Sequence, residues 1–382
     1  MLRRLAAVSL ALGLALAGAT RVETARRPRY GGTLRVEIGA TVSSLDPAIA
    51  AANSEEAAAK VQLATLIYDH RNPDKTFAGP GAFRISAWEP GKSVTLAAND
   101  DCRGGRPFVD SIEMRMGRSA RDRLLDLELN KTDFAEISPE QARRAGERSV
   151  RISTSQPDEL LALVFVTGRH AAEDVRVREA MARAIDRAAI VNFILQKTGD
   201  PAGGLLPQWS SGTAFLFSAA PDILRAKELS SQITPSPRLV LGYDFGDPLE
   251  RSVAERIVVN AREAGITVTS DPIQRSAPLH LDAVLERWRM ESQHPRESLA
   301  NFIDVLRTES IDGGEACEAL PAAATPEQIY GCERGVVNGY RVVPLVWLPQ
   351  VYGLSARVRD WKAPAPGEGW PLADVWLDGE AP

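Results

Sequence analysis

Arg238-Leu239-Val240-Leu241-Gly242-Tyr243, then Leu249 to Ala264, then Gly265 and Ile266-Thr267-Val268-Thr269, read as strand, helix and strand. The two outer runs are short, apolar and rich in β-branched residues, as a strand requires. Val253, Ile257 and Ala261 recur along one face of the middle run, which turns that face of a helix inward. Gly265 stands where the helix must stop, because the residue after a last turn favours the left-handed conformation that glycine adopts without penalty. A strand, a crossover helix and a return strand give a parallel pair. The fold class is α/β.

The same reading extends in both directions. Leu160 to Thr167 is an almost continuous apolar run, expected as a strand buried on both faces. Asp174 follows as a helix cap, and Val177, Met181, Ala184, Ile185, Ala188, Val191 and Ile194 predict one continuous helical stripe behind it. Toward the start, Thr33–Ile38 and Val109–Met116 alternate as strands. Phe83–Trp88 and Ser93–Ala97 flank Pro90-Gly91 as a hairpin. Glu55–Tyr68 and Arg121–Leu129 read as helices, and Val342–Trp347 as a late strand. Hairpins first, strand–helix alternation in the middle and a final return segment predict two α/β lobes, crossed more than once by the chain. The expected division is residues 30–158, joined by 342–382, against residues 159–341. A hinge between such lobes leaves a cleft suited to a ligand.

The first residues carry a separate message. Met1–Arg4 form a positive n-region, Leu5–Leu16 an apolar h-region, and Ala17-Gly18-Ala19 a small-residue cleavage site. The apolar run is shorter than the roughly 20 residues that span a bilayer. Residues 1–19 are therefore expected to be a cleaved signal peptide, with a periplasmic location for the mature chain. Ala19 stands where a lipoprotein would need cysteine.

The 382 residues carry a formal charge of −5, and 44% are hydrophobic. That composition supports folded cores and lacks the basic stripe of a nucleic-acid binder. Cys317 and Cys332 lie in a loop-rich stretch and are candidates for a disulfide in an oxidising compartment, leaving Cys102 as an odd thiol. No Cys-x-x-Cys pair accompanies them, and the four histidines (His70, His170, His280, His294) form no metal-ligand spacing, so no metal and no cofactor is expected. Gly-x-Ser-x-Gly, His-Glu-x-x-His and Gly-x-x-x-x-Gly-Lys runs are absent from the sequence, which leaves no catalytic residues to nominate.

An ordered series of segments resembles the extracytoplasmic solute-binding proteins of family 5, the peptide/nickel-binding receptors of ABC importers. It comprises Gly31-Gly32-Thr33-Leu34-Arg35-Val36 with Leu45-Asp46-Pro47, Leu66-Ile67-Tyr68-Asp69, and Gly79-Pro80-Gly81-Ala82-Phe83 with Trp88-Glu89-Pro90-Gly91. Gly105-Arg106-Pro107-Phe108, Asp174-Val175-Arg176-Val177-Arg178-Glu179-Ala180 with Ala184-Ile185-Asp186-Arg187, Val343-Pro344-Leu345 and Ala373-Asp374-Val375-Trp376-Leu377 complete it. The resemblance implies a two-lobed periplasmic-binding-protein architecture of type II kind, with mixed sheets and hinge crossings. It also implies a monomer that captures oligopeptides or a related amine-bearing solute, with nickel chelates as a second choice, and presents it to ABC permease membrane subunits.

The departures from the family pattern bear on the site. Only His70 to Gly79 bridges the gap in which family members usually carry an extra subdomain, so that subdomain is expected to be missing. The family's Trp-x-x-Asp-Tyr pattern becomes Trp288-Arg289-Met290-Glu291-Ser292, with Glu291 as the candidate partner of a ligand ammonium. If it plays that part, Glu291→Gln costs about 1.5–3 kcal/mol of binding. Phe165-Val166-Thr167 stands for the family's Phe-Asn-Thr. Trp288 either walls the ligand or packs between helix and sheet. Trp209 either borders the cleft or covers lobe surface. The expected ligand-binding set is thus Trp288, Glu291, Phe165, Thr167 and Trp209. The rival to a transport receptor is a reduced, non-transport binding scaffold or sensor that has lost ligand capture.

Overall fold

The run Leu160-Leu161-Ala162-Leu163-Val164-Phe165 has no polar side chain, so both of its faces must be covered. In the computed structural model it is the second half of β6 (Arg151–Phe165). Leu161, Leu163 and Phe165 enter one core and Leu160, Ala162 and Val164 another, on opposite faces of the sheet. The structure describes residues 27–45, 54–68, 81–148, 150–211, 217–273, 280–308, 311, 317 and 320–379. The leader, Asp46 and the His70–Gly79 bridge lie outside the described residues.

Among these residues one mixed, eleven-stranded sheet runs through the protein. One side holds β1 (Thr33–Glu37), β2 (Phe83–Glu89), β3 (Ser93–Ala98), β4 (Ser111–Arg115) and β5 (Phe134–Ile137) in the order β2-β3-β4-β1-β5. The other side holds β10 (Ala283–Arg289), β8 (Arg238–Asp244) and β9 (Thr267–Ile273), and β7 (Asp200–Pro201) adds to β11 (Val342–Leu354). β11 and β6 lie side by side in the middle and join the two sides. β8 and β9 are parallel, with α5 (Pro248–Glu263) as the crossover and Gly265 at φ +82° as its stop. The strand–helix–strand reading of residues 238–269 describes this unit.

Each lobe has its own core. In the first, Leu34, Val36, Phe83, Ile112 and Phe134 pack with Leu63 and Leu66 of α1 (Ser54–Ile67) and with Trp361 and Trp370 from the chain end, while Leu124 and Leu127 of α2 (Ala120–Glu128) pack on β5. In the second, α3 (Val175–Ala184), α4 (Ile223–Ser231) and α5 cover one sheet face. The other face is covered by α6 (Pro295–Thr308) and α7 (Pro326–Asn338). Cys317 and Cys332 are joined, with Cα atoms 4.9 Å apart, and both are buried in that last core. Cys102 is free.

β6 is longer than its apolar run. Its first half, Arg151 to Asp158, pairs with the second half of β11. That part of β11 also pairs with β5, through Val351↔Ile137 to Leu354↔Phe134. The first half of β11 belongs elsewhere: Val343, Leu345, Val346 and Leu348 sit in one second-lobe core, and Val342 and Trp347 in the other. Where the strand changes lobe, Pro349 faces Pro157, with register shifts on both sides of Pro349. Neither proline has an N–H to give the ladder. The pairing is weakest where the lobes meet.

The stripe from Asp174 to Ile194 is not one helix. α3 is capped by the Asp174 side chain, which accepts from Arg176 N at 2.9 Å, and it stops at Ile185, an extended residue. Asp186 starts a new turn by accepting from Ala189 N at 2.9 Å, and residues 190–194 form a wider, π-type turn. Buried Arg187 accounts for the break. Its Nε donates to the carbonyl of Pro344 at 2.7 Å, and its Nη1 donates to those of Ala182 and Ile185 at 3.1 and 3.4 Å. The guanidinium satisfies carbonyls that a continuous helix would have satisfied itself. Burial pushes Arg187 down to about 10. Arg187→Met is expected to lower the unfolding free energy by about 3 kcal/mol, since it strips buried carbonyls of their donor. A urea melt with a wild-type midpoint would show that the break does not depend on this residue.

Candidate functional site: a charged cleft between the lobes

The C-terminal ends of parallel strands are where open α/β sheets leave crevices, because the chain departs there to opposite faces. In this protein such ends from both lobes face one another. Gly39 and Ala40 follow β1, and Ser138, Pro139 and Glu140 follow β5. Opposite them lie Asp244 at the end of β8, Asp247 to Glu250 at the start of α5, and Arg287 and Arg289 at the end of β10. Pro349, Gln350 and Val351 form the floor. The cavity measures about 390 Å³ and opens to solvent.

Arg287 organises the second-lobe wall. Its guanidinium lies 2.8 Å from Asp247, 3.5 Å from Glu159 and 3.6 Å from Glu250. Arg289 reaches Glu159 at 3.8 Å and donates to Gln350 Oε1. Gln350 Nε2 in turn donates to Asp158 and Glu159, each at 3.2 Å. Burial works to raise the carboxyl of Glu159, but Arg287 and Arg289 hold it below the ordinary range. For Asp158 burial wins, and its carboxyl is pushed up to about 6.

The start of α5 is held just as firmly. Asp247 caps it, accepting from the N–H groups of Leu249 and Glu250 at 2.8 and 3.2 Å. Glu250 Oε2 accepts from Asp244 N at 2.8 Å, and Asp244 Oδ1 accepts from Gly246 N at 2.7 Å. Glu250 is 5% exposed, and burial pushes its carboxyl up to about 7, aided by Asp247 and opposed by Arg287.

On the first-lobe wall the cations are committed to structure. Arg118 pairs with Asp126 at 3.0 Å and lies 3.7 Å from buried Glu37. Arg123 donates through Nε to the Glu136 carbonyl at 2.6 Å. Burial pushes the carboxyl of Glu140 up, and Asp247 across the cleft adds to the effect.

None of the five ligand-binding residues expected from sequence lines this cavity. Phe165 is fully buried at the far end of β6, about 20 Å along the strand from Glu159 at 3.3 Å per residue. Thr167 is exposed beyond that end. Trp288 is 7% exposed and faces the α6 core, its ring 6.2 Å from that of Phe302. Trp209 is half-buried, and its Nε1 donates to the carbonyl of Pro157 at 2.8 Å, so it braces the crossing strand from outside. Glu291 is exposed and accepts from Asn301 Nδ2 at 3.3 Å, while its backbone meets Gly367 of the first lobe with no room for a side chain there. Sequence reasoning missed Arg287 and Arg289. Strand alternation puts both on the face opposite Trp288, and that signal was present in Arg287-Trp288-Arg289.

A sheet divided into two lobes with a polar cavity between them defines a two-lobed solute-binding protein of the periplasmic type. The model of bacterial extracellular solute-binding proteins, family 5 Middle, matches residues 33–304, and the chain belongs to that family. Among curated relatives, oligopeptide-binding protein AppA of Bacillus subtilis is 28% identical over 128 residues, covering 32% of this chain and 23% of its own length. Protein XP55 of Streptomyces lividans is 28% identical over 207 residues, covering 50% and 38%. The matched part of this chain thus spans less than half the length of these relatives.

Among solved structures, DppA of Helicobacter pylori in complex with the peptide STSA superposes with a TM-score of 0.71 at 13% identity, covering 92% of this chain and 99% of that one. NikA of Brucella suis in complex with Fe(III)-EDTA gives 0.67 at 17% identity, covering 82% and 71%. These structural likenesses speak for the fold.

Glu250 yields a pH prediction. Its folded-state carboxyl titrates near 7 in place of the ordinary 4.5, so the fold favours the protonated form. Its contribution falls as pH rises from about 4.5 to 7, since over that window the native state binds the extra proton. Relative to wild type, Glu250→Gln should therefore gain up to ~3 kcal/mol between pH 4 and pH 8. Urea melts at the two pH values measure it, and a pH-independent difference would mean that Glu250 titrates normally.

Proposed function

We propose that this protein is an exported receptor that captures a small solute between its lobes and delivers it to an ABC-type permease by closing on it. The observation that carries this reading is the charged cavity built from strand ends of both lobes over a floor formed by the crossing strand. Residues 158–348 would swing against residues 30–156 and 350–379 about Pro157 and Pro349. The solute acts by binding the closed form better than the open one, and its presence is signalled by closure itself. No covalent step is required.

Peptides or related amine-bearing solutes are the first choice of ligand. AppA and DppA are described with peptides and NikA with a metal chelate, and all three share this fold. The leader-like residues 1–19 support export, in keeping with a family of extracellular proteins.

The protein purified gently from the exported fraction should show, in a native mass spectrum, an added mass that is lost on denaturation. Resupplied at a hundredfold excess over Kd, that solute should stabilise the fold by about 2.7 kcal/mol in a thermal melt. A bare mass, together with melts unmoved by peptides, amines and metal chelates, would remove the receptor reading. Glu291→Gln should leave affinity for the co-purified solute within about twofold, as for an exposed residue away from the site. A loss of tenfold or more in calorimetry would return Glu291 to the ligand.

A further inference from the structure

The cavity is not electrically balanced. Around its second-lobe wall stand Glu159, Asp247 and Glu250, and Glu140 faces them from the first lobe, while Arg287 and Arg289 are the guanidiniums turned toward them. With Glu136 and Asp244, which also line it, the cavity counts six carboxylates against four guanidiniums, Arg118 and Arg123 included. The first-lobe arginines do not make up the difference, because Arg118 is tied to Asp126 and Glu37, and Arg123 is tied to backbone carbonyls.

The shortfall is visible at individual atoms. Glu250 is more than nine-tenths buried and lines the cavity. Among the described residues its Oε1 accepts no hydrogen bond, the nearest guanidinium nitrogen being Arg287 Nε at 3.6 Å. Glu140 Oε2 is buried as well and has no hydrogen-bond partner among the described residues. Buried carboxylate oxygens are ordinarily satisfied, so the Glu140 oxygen, facing the loosely paired Glu250 Oε1, marks room for a donor that arrives with the ligand. Burial is the main reason that the carboxyls of Glu140 and Glu250 are raised, and Asp247 adds to both.

We infer that the cleft is built for a compact solute of net positive charge, whose cationic group sits between Glu140 of the first lobe and Asp247 and Glu250 of the second. The inference rests on the receptor reading above and names the ligand class for it. The cavity of about 390 Å³ admits a solute of dipeptide size. The arrangement also links binding to closure. Glu140 is carried by the first lobe, so closing the empty cleft brings it against Asp247 and Glu250 with like charge. A cation between them removes that repulsion and leaves charge-assisted hydrogen bonds in its place.

The test is a calorimetric series on the full-length mature protein, freed of co-purified solute, with Lys-Ala, Ala-Ala and Asp-Ala. Lys-Ala should bind at least about tenfold more tightly than Ala-Ala, with Asp-Ala weakest, as expected for one added charge-assisted contact. Glu140→Gln and Glu250→Gln, each shown to be folded by its melt, should lower Lys-Ala affinity by about tenfold while moving Ala-Ala by less than about threefold. Equal or tighter binding of Asp-Ala, or no preference for Lys-Ala, overturns the inference. If a solute still co-purifies in the native mass spectrum, that outcome leaves the receptor standing. If none does and no member of the series binds, the receptor reading falls with it.

Discussion

The antiparallel pair of β6 and β11 is the constraint on which the rest of the structure depends. Each strand serves two cores in turn, and each places a proline where it passes from one lobe to the other. Within a lobe, every second side chain of these strands is locked into a hydrophobic face, and slipping the register by one residue would expose a whole row. Between the lobes no such penalty operates. Pro157 and Pro349 face each other without N–H groups to share, and register shifts flank Pro349. The sheet stays continuous across this line, while the ladder loses donors there and packing does not resume until the next core begins. Trp209 holds the Pro157 carbonyl from one side, and Gln350 ties the floor to Ser155, Asp158 and Glu159. Both contacts hold the crossing strands together at that line.

Elements that bury a regular stripe were legible in the sequence, and those set by polar contacts were not. The unit from Arg238 to Thr269 shows strand, helix, glycine stop and strand because each step has a local physical signal. The first half of β6, Arg151-Ile152-Ser153-Thr154-Ser155-Gln156-Pro157-Asp158, carries none, since its pairing with β11 is fixed by distant chain. The break at Ile185 was hidden for a similar reason. The apolar spacing continues through it, and only the buried guanidinium of Arg187, reaching to Pro344, reveals that the helix must restart. Pattern reading registers what a stripe buries and is blind to a charged side chain that goes inward.

The residues of the candidate cleft escaped notice by the same logic. Trp288 and Glu291 drew attention as an aromatic and a carboxylate at positions matched to a family pattern, yet alternation turns Trp288 into the α6 core. The residues beside it, Arg287 and Arg289, read as solvated strand charges. They became a site only when β6 brought Glu159 and α5 brought Asp247 and Glu250 to them. A strand of alternating arginines needs a reason to be in the middle of a sheet, and the cleft is that reason.

Why the protein tolerates unbalanced charge in a half-buried cavity follows from which lobe carries it. Arg287, Glu159, Asp247 and Glu250 all belong to the second lobe and are connected through its strands and the start of α5, so that wall is formed whether the cleft is open or shut. Its guanidinium neutralises enough of the acids to let them be buried, and one partner removed from such a cluster typically costs about 3–5 kcal/mol. Glu140 is different, because it joins the cluster only across the gap. If the lobes close as proposed, the cost of the surplus falls on the closed form, since water solvates the facing carboxylates in the open one. A ligand that offsets it gains in the closed state what it lacks in the open one, and this difference is what a population shift requires. A neutral site could bind as tightly and would still couple less of its affinity to lobe movement.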